Sequence, residues 1–237
     1  MKVGLTPCHI LHQRSYKESS LILDVFSREY GKLSLVSRGI KKKKTNERYL
    51  MQANQRLNIA WSIRGEMGTL TDIESDGNFT TLDGSRAISA FYLAELLVRL
   101  LHKHEPYQKL FDAYSIALGK LKKKSPEDTT LRVFEKHLIS SLGYGLVLDH
   151  DVDSGMAIEE DKNYFYYIDH GPVENQIKTS GFVTVSGRTL ITLDRENIDN
   201  PIDLLEAKNL MRKTLKKHLG DKPLASRELY RAFTAER

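Results

Sequence analysis

Hydrophobic and polar residues alternate along the first third of the chain. Apolar side chains occupy every second position in residues 21–25 and again in residues 57–61. A period of two is typical of β-strands that bury one face. The pattern therefore predicts five short strands, which cover residues 5–12, 19–26, 32–38, 56–63 and 68–75.

Turn-forming residues separate these predicted strands. Glycine occurs in the turns at residues 29–31, 64–66 and 75–78, and a longer charged connection, residues 39–50, joins the third and fourth strands. A small closed or nearly closed barrel would pair every strand edge. Five strands of this length are typical of the OB-fold, whose strand face and loops bind single-stranded nucleic acid.

Beyond the predicted strands, apolar residues recur every three to four positions, which indicates helices. Two leucine-rich stripes predict helices over residues 88–101 and 110–121. A third helix begins after the capping residue Ser125, with Pro126 in its first turn, and ends near Gly143. The second part of the chain is therefore predicted to be helical.

A long fourth helix is predicted to begin at Pro201, and a short terminal helix at Ser226. Between the third and fourth helices an acidic segment, about residues 149–195, contains β-prone runs and predicts a small irregular insertion. The predicted fold class is α+β. It consists of an N-terminal five-stranded OB-fold barrel in residues 1–80 and a helical domain in residues 81–237.

Charge is segregated along the sequence. Residues 1–80 carry 13 Lys and Arg against 8 Asp and Glu, a net of +5. Residues 149–206 carry 4 against 13, a net of −9, and residues 208–237 carry 9 against 3, a net of +6. The basic segments indicate a polyanionic partner, because cations that neutralise phosphates release condensed counterions. The alternative is solvated surface charge that keeps the protein soluble.

The residues present disfavour several functional classes. Cys8 is the only cysteine, which excludes an intrachain disulfide and a four-cysteine zinc site and favours the reducing cytoplasm. We expect no secretory signal, membrane span or membrane partner, because charges interrupt the apolar runs. Glycine-rich nucleotide loops and the HExxH zinc motif are absent from the sequence. We therefore expect no enzyme activity, no small-molecule substrate and no cofactor.

Three classes of function stay open from the residues alone. An OB-fold with a lysine-rich loop is compatible with a DNA-binding protein and with an RNA-binding protein of the translation apparatus. A nucleic-acid hydrolase is the third class, but it needs a carboxylate cluster that holds metal ions. Carboxylates with the spacing of an EF-hand calcium loop occur at Asp149, Asp151, Asp153 and Glu160. Ser154 stands where that loop requires glycine, so we expect no calcium.

Seven segments, which keep their order along nearly the whole chain, resemble the bacterial recombination mediator family RecO. They are SSLILDVFS at residues 19–27, GKL at 31–33, VSRG at 36–39, ELL at 95–97, LRVFE at 131–135, LGYG at 142–145 and LGDKPLASREL at 219–229. The resemblance implies an OB-fold followed by a helical domain. It also implies a nucleoid-associated protein of the cytoplasm that binds single- and double-stranded DNA and anneals complementary strands.

Protein partners are also implied by the resemblance. Members of this family bind the acidic C-terminal tail of the single-stranded DNA-binding protein and the partner RecR, and they help to load the RecA recombinase. Many members carry four cysteines for structural zinc in the region of the acidic segment. This chain has none of the four, and only His150 and His170 are available among the acids. We therefore expect no zinc, and the function of the segment stays open.

The predicted DNA contacts are basic residues near the barrel loops. Consecutive lysines on a loop follow a phosphate backbone without reading bases. The residues between the third and fourth strands are Arg38, Lys41, Lys42, Lys43, Lys44 and Arg48, and those predicted in the loop after the first strand are Arg14 and Lys17.

Arg132 is the predicted partner-binding residue, because the resemblance implies that the family's matching arginine receives the terminal carboxylate of the tail. An apolar groove beside it would take the last side chain of the tail. The predicted set is Leu121, Lys122, Leu131 and Arg132. From the residues alone, the alternative is a surface arginine that pairs with Asp128 or Glu135 at helical spacing.

Overall fold

The structure is a computed structural model that describes residues 1–39, 50–63, 67–77 and 82–235. The chain divides into two compact units. The first unit comprises Met1–Lys123 and Pro223–Arg237, and the second comprises Lys124–Lys222. Within the described ranges, no helix is long and apolar enough to cross a membrane.

The first unit contains a closed barrel of five strands. The strands are β1 (Lys2–Tyr16), β2 (Ser20–Ser27), β3 (Gly31–Ser37), β4 (Arg56–Ile63) and β5 (Gly68–Ser75). Their order is β1-β2-β3-β5-β4, and neighbouring strands are antiparallel except for β3 and β5, which are parallel. The predicted OB-type barrel and the α+β class are confirmed.

The first strand is longer than the sequence pattern predicted, because it pairs with two neighbours. Residues 2–9 pair with β4, and residues 8–16 pair with β2. The pairing register with β2 shifts between Ile10 and His12, as it does at β-bulges that bend a strand. Residues 12–16 are mostly polar, yet their backbone groups continue the ladder with β2. This long strand closes the barrel.

Apolar side chains that alternate along the strands fill the barrel. Trp61, the only tryptophan of the chain, is fully buried, and the Tyr30 ring packs edge-on against it with a centroid distance of 5.3 Å. Burial raises the pKa of the Cys8 thiol to about 12, so the thiol stays protonated at neutral pH. The core comprises Val3, Cys8, Ile10, Leu23, Val25, Leu33, Leu35, Met51, Leu57, Ile59, Trp61, Leu70 and Ile73.

Helices from both halves of the chain belong to the first unit. They are α1 (Gly84–Leu100), α2 (Gln108–Lys122) and, near the end of the chain, α6 (Ala225–Ala235). The ring of Phe111 in α2 lies 5.5 Å from the ring of Phe26 in β2. The Arg28 guanidinium donates two hydrogen bonds, of 3.0 and 2.9 Å, to the Asp112 carboxylate. These contacts join the barrel to α2. The domain boundary predicted at residue 80 stays a prediction.

The second unit is built from helices and a small sheet. Its elements are α3 (Glu127–Ser141), β6 (Asn163–Tyr167), β7 (Gly171–Val173), β8 (Phe182–Ser186), α4 (Gly187–Asp194) and α5 (Pro201–Leu219). The strands form an antiparallel sheet in the order β7-β6-β8, and α5 packs against α3, α4 and β8. The acidic insertion therefore contains more regular structure than its sequence pattern indicated.

Candidate nucleic-acid interface

Three exposed cations lie at one end of the barrel. Arg14 is near the end of β1, Lys17 is in the turn that follows, and Arg38 follows β3. In the pairing register Arg14 lies opposite Ile22, and Ile22 lies opposite Val36. Antiparallel pairing therefore brings the end of β1 and the end of β3 to the same end of the sheet.

The sequence pattern placed Arg14 in the loop after the first strand, and this placement is wrong. β1 continues to Tyr16, because its polar residues still pair with β2. The turn begins at Lys17, whose φ of 53° is the left-handed conformation found in tight turns. Arg14 therefore lies on a strand, and Lys17 lies at the tip of the hairpin with its Nζ 5.4 Å from the centroid of the Tyr16 ring.

The other predicted DNA contacts lie outside the described residues. They are Lys41, Lys42, Lys43, Lys44 and Arg48. Their contact with DNA stays a prediction. In the sequence, the first of them, Lys41, lies three positions after Arg38.

Ion pairing separates the cations of the barrel into two groups. Among the described residues, no ion pair engages Arg14, Lys17 or Arg38. By contrast, Arg28 pairs with Asp112 at 2.9 Å, and the Nε of Arg56 lies 3.3 Å from a carboxylate oxygen of Asp76. Cations that no carboxylate neutralises attract an anion more strongly. The barrel end that carries Arg14, Lys17 and Arg38 is therefore the candidate anion-binding surface, called the barrel-end surface below.

The predicted tail-binding residues fall in both compact units. Leu121, which is buried, and Lys122, which is exposed, end α2 in the first unit. Leu131, which is half-buried, and Arg132 lie in α3 in the second unit. Each pair is therefore placed within its own unit, and tail binding by the four residues together stays a prediction.

Arg132 forms a buried ion pair inside the second unit. Its Nη2 donates to Oε1 of Glu135, three residues later, at 2.9 Å. The two side chains are only 6% and 1% exposed. Within the described part of the chain, Nε of Arg132 is buried without a hydrogen-bond partner. A guanidinium has five N–H donors, so this pair leaves donors for a further acceptor.

The acidic insertion is organised by the Asp151 carboxylate. Oδ1 accepts hydrogen bonds from the backbone N–H groups of Asp153 and Ser154, at 2.9 and 2.8 Å, and Oδ2 accepts one from Glu174 at 2.6 Å. Burial raises the pKa of Asp151, but these hydrogen bonds outweigh it and hold the pKa below its ordinary value. Among the described residues, no group of three or more His, Cys, Asp or Glu side chains could hold a metal ion.

The sequence patterns did not single out the C-terminal helix as a site. In α6, Tyr230 and Arg231 are exposed and Arg227 is half-buried. Two arginines four positions apart, with a tyrosine between them, were a visible signal within the basic segment 208–237. Without the packing of α6, however, the pattern does not reveal which side of the helix faces solvent.

The closed barrel, its exposed cations and the helices that follow define an OB-fold protein with a helical C-terminal part. The chain belongs to the recombination protein O family, whose N-terminal model matches residues 1–79 and whose C-terminal model matches residues 81–228. The resemblance identified from the sequence is confirmed.

Full-length relatives are similar to the chain. It is 40% identical over 229 residues to the DNA repair protein RecO of Nitrosococcus oceani, covering 97% of this chain and 93% of that protein. The DNA repair protein RecO of Aliivibrio salmonicida is 40% identical over 230 residues, 97% of this chain and 96% of that protein. The DNA repair protein RecO of Coxiella burnetii is 38% identical over 230 residues, 96% of this chain and 98% of that protein.

Proposed function

We propose that this protein is a DNA repair and recombination mediator that binds DNA at the barrel-end surface and is not an enzyme. The observation that carries the proposal is the exposure of Arg14, Lys17 and Arg38, without ion pairs among the described residues, at one end of an OB-type barrel. Such cations contact phosphates without reading the base sequence. The relatives named DNA repair protein RecO favour DNA over RNA as the ligand.

The finer part of the proposal concerns two strands and their protein partners. We include binding of single- and double-stranded DNA, annealing of complementary strands, and binding of RecR and of the acidic C-terminal tail of the single-stranded DNA-binding protein. Assistance in loading RecA would follow from these contacts. The support is family membership and charge, because basic surface lowers the repulsion between two polyanions that must meet.

Charge reversal tests the barrel-end surface. Arg14→Glu combined with Arg38→Glu should lower the affinity for a fluorescent thymidine oligonucleotide at least tenfold at about 0.1 M salt. The slope of log affinity against log salt should fall by about 1.4, since each lost contact to a single strand removes about 0.7. The matched control is Lys109→Glu combined with Lys120→Glu, which makes the same charge change at exposed positions of α2.

The two double variants should diverge. Equal losses of affinity would mean that only net charge matters, and the barrel-end assignment would be abandoned. Competition between DNA and RNA of the same sequence tests the remaining alternative. Tighter binding of RNA would favour an RNA-binding protein of the translation apparatus.

For the tail, we propose that Arg132 receives the terminal carboxylate. The unpartnered, buried Nε of Arg132 supports this, because an acceptor there would complete its hydrogen bonding. Since both Arg132 and Glu135 are buried, the carboxylate reaches the guanidinium only if neighbouring side chains move aside. Removing Arg132 altogether would leave the Glu135 charge buried, at a cost of about 3–5 kcal/mol in stability. Arg132→Lys is therefore the better variant, because it keeps the charge and loses the planar fork.

The tail site is tested by comparing a tail peptide with its C-terminal amide. The wild type should bind the free acid about tenfold more tightly, the effect of one good charge-assisted pair of about 1.4 kcal/mol. Arg132→Lys should reduce this preference while annealing of naked strands is retained. A preference for the free acid that is unchanged in Arg132→Lys would place the carboxylate site elsewhere. Circular dichroism and thermal melting control for folding.

A further inference from the structure

The C-terminal helix α6 is held on α1 at two points. At its start, the backbone N–H groups of Ala225 and Ser226 and the Ser226 hydroxyl donate to the Glu95 carboxylate, at 2.9, 3.0 and 2.6 Å. A carboxylate at this position satisfies free N–H groups and matches the positive end of the helix dipole. Near its other end, the Phe233 ring lies 3.6 Å from the position that a Cβ on Gly84 would occupy. These contacts near both ends of α6 pack the helix against α1 within the first unit.

These contacts define which side of α6 faces α1. Ser226 and Phe233 mark the packed side, and successive residues of an α-helix are turned by about 100°. Leu229 and Tyr230 therefore lie on opposite flanks of the packed side. Both are 47% exposed. The two flanks therefore expose apolar surface to a similar degree, and they differ in the residues that surround Leu229 and Tyr230.

The flank that carries Tyr230 is basic. Arg227 lies three positions before Tyr230 and four positions before Arg231, so its side chain is a neighbour of both on the helix surface. Residues 225 and 232, which lie on the flank of Leu229, are both alanine. Within the part of α6 that the structure describes, no ion pair involves Arg227 or Arg231. We call Arg227, Tyr230 and Arg231 the α6 surface.

The chemistry of the α6 surface suits a single nucleic-acid strand. An exposed aromatic ring stacks on a base whatever its identity, and flanking guanidinium groups neutralise phosphates and stack on rings. The unit around it is also basic. The first unit carries 23 Lys and Arg against 14 Asp and Glu, a net of +9, whereas the second carries 13 against 17, a net of −4.

We infer that the α6 surface is a second DNA-contacting site of the first unit, in which Tyr230 stacks on a base and Arg227 and Arg231 contact the adjoining phosphates. Its ligand is the second strand, which meets a first strand already held at the barrel-end surface. This inference rests on the proposed function and adds to it the site that accepts the incoming strand. An acidic peptide is the other occupant that this chemistry admits.

The test separates binding of the first strand from annealing. Full-length protein saturated with one labelled oligonucleotide is mixed with the complementary strand, and the annealing rate is followed by fluorescence quenching. Tyr230→Ala should slow annealing at least fivefold, a change that corresponds to about 1 kcal/mol of stacking. Tyr230→Phe should anneal at the wild-type rate. The matched control is Leu229→Ala, which truncates an equally exposed residue of the same helix and should change the rate less than twofold.

Each outcome supports or overturns the inference. Arg227→Gln combined with Arg231→Gln should slow annealing and flatten its salt dependence, with first-strand affinity within about twofold of wild type. Equal annealing rates for Tyr230→Ala and Leu229→Ala would overturn the inference alone. Loss of affinity for an acidic peptide with unchanged annealing would make the α6 surface a protein-docking site and overturn it as well. Failure of the wild type to bind any single-stranded DNA would refute the proposed function and this inference with it.

Discussion

Replacement of Asp151 by alanine should loosen the acidic insertion, because the hydrogen bonds of this carboxylate join two of its segments. Its two oxygens connect the turn that follows Asp151 to Glu174, the residue after β7. The Asp151 backbone adds to the same turn, since its N–H donates to the Met156 carbonyl and its carbonyl accepts from Gly155, both at 2.8 Å. One buried carboxylate therefore holds two separate segments together.

The magnitude follows from the hydrogen bonds that Asp151→Ala removes. Three backbone N–H groups lose a charged acceptor. A hydrogen bond to a charged group contributes about 1.5–3 kcal/mol net, and water that enters the site recovers part of the sum. The expected cost is on the order of 3–5 kcal/mol of local stability, because Asp151 is 6% exposed and water replaces the carboxylate only in part. Asp151→Asn should cost less, because the amide keeps one oxygen acceptor but turns an N–H₂ group toward a donor.

Hydrogen exchange measured by mass spectrometry provides the assay. Asp151→Ala should raise amide exchange in peptides that cover residues 151–156 and 171–175, with exchange of the barrel strands unchanged. The control is Asp149→Ala, whose exposed carboxylate lies 2.8 Å from His150 Nδ1. Equal exchange in the two variants would refute the role assigned to Asp151. Because the folded pKa of Asp151 lies below its ordinary value of about 3.9, its contribution is present above that pH and is lost as pH falls through the folded pKa.

Two further predictions concern buried or anchoring groups of the first unit. Burial, assisted by the Arg56 charge, lowers the pKa of His9 to about 3. The barrel should therefore lose stability as the pH falls from about 6.5 toward 3, by up to about 1.4 kcal/mol per pH unit. Urea unfolding followed by Trp61 fluorescence should show a flatter pH dependence for His9→Gln, and an identical dependence would contradict this. Glu95→Ala should release α6 from α1, since Glu95 accepts three hydrogen bonds from Ala225 and Ser226, and faster amide exchange in α6 would report it. Protection of α6 equal to wild type would mean that other contacts anchor the helix.

The strands were predictable because alternation is a local property of the sequence. Residues 57–61 show it, and β4 and β5 begin and end where the pattern placed them. Closure of the barrel was foreseen from the number of strands, but the pairings that close it join distant segments. The parallel contact of Leu35 with Gly68 and the dual pairing of β1 depend on tertiary packing. That packing is why residues 12–16 continue a strand without an alternating pattern.

The candidate sites were predictable only as residue types. The sequence identified Arg14, Lys17 and Arg38 as basic residues near barrel loops, and their exposure agrees with a binding surface. Burial of Arg132 was not foreseeable, because helical spacing to Glu135 is the same for an exposed pair and a buried one. The sequence predicted a helix at Ser226, but the contact of Glu95 with Ser226 joins residues 131 positions apart, so no local pattern could have shown that α6 packs against α1.

The two units differ in net charge, and this difference affects how the affinities for DNA and for the acidic tail should depend on salt. The first unit contains the basic N-terminal part of the chain and has a net charge of +9. The second unit has a net charge of −4, because its acidic segment outweighs the basic residues 208–222, which also belong to it. At physiological ionic strength the screening length is about 8 Å, so the charge of each unit affects mainly a ligand that is bound at the surface of that unit. DNA affinity should therefore depend steeply on salt, since many cations of one unit act on one polyanion. An acidic tail that binds Arg132 gains no such long-range attraction, because the second unit is acidic. Its affinity must come from short hydrogen bonds and apolar contact. The affinity for the tail should therefore depend less steeply on salt than the affinity for DNA.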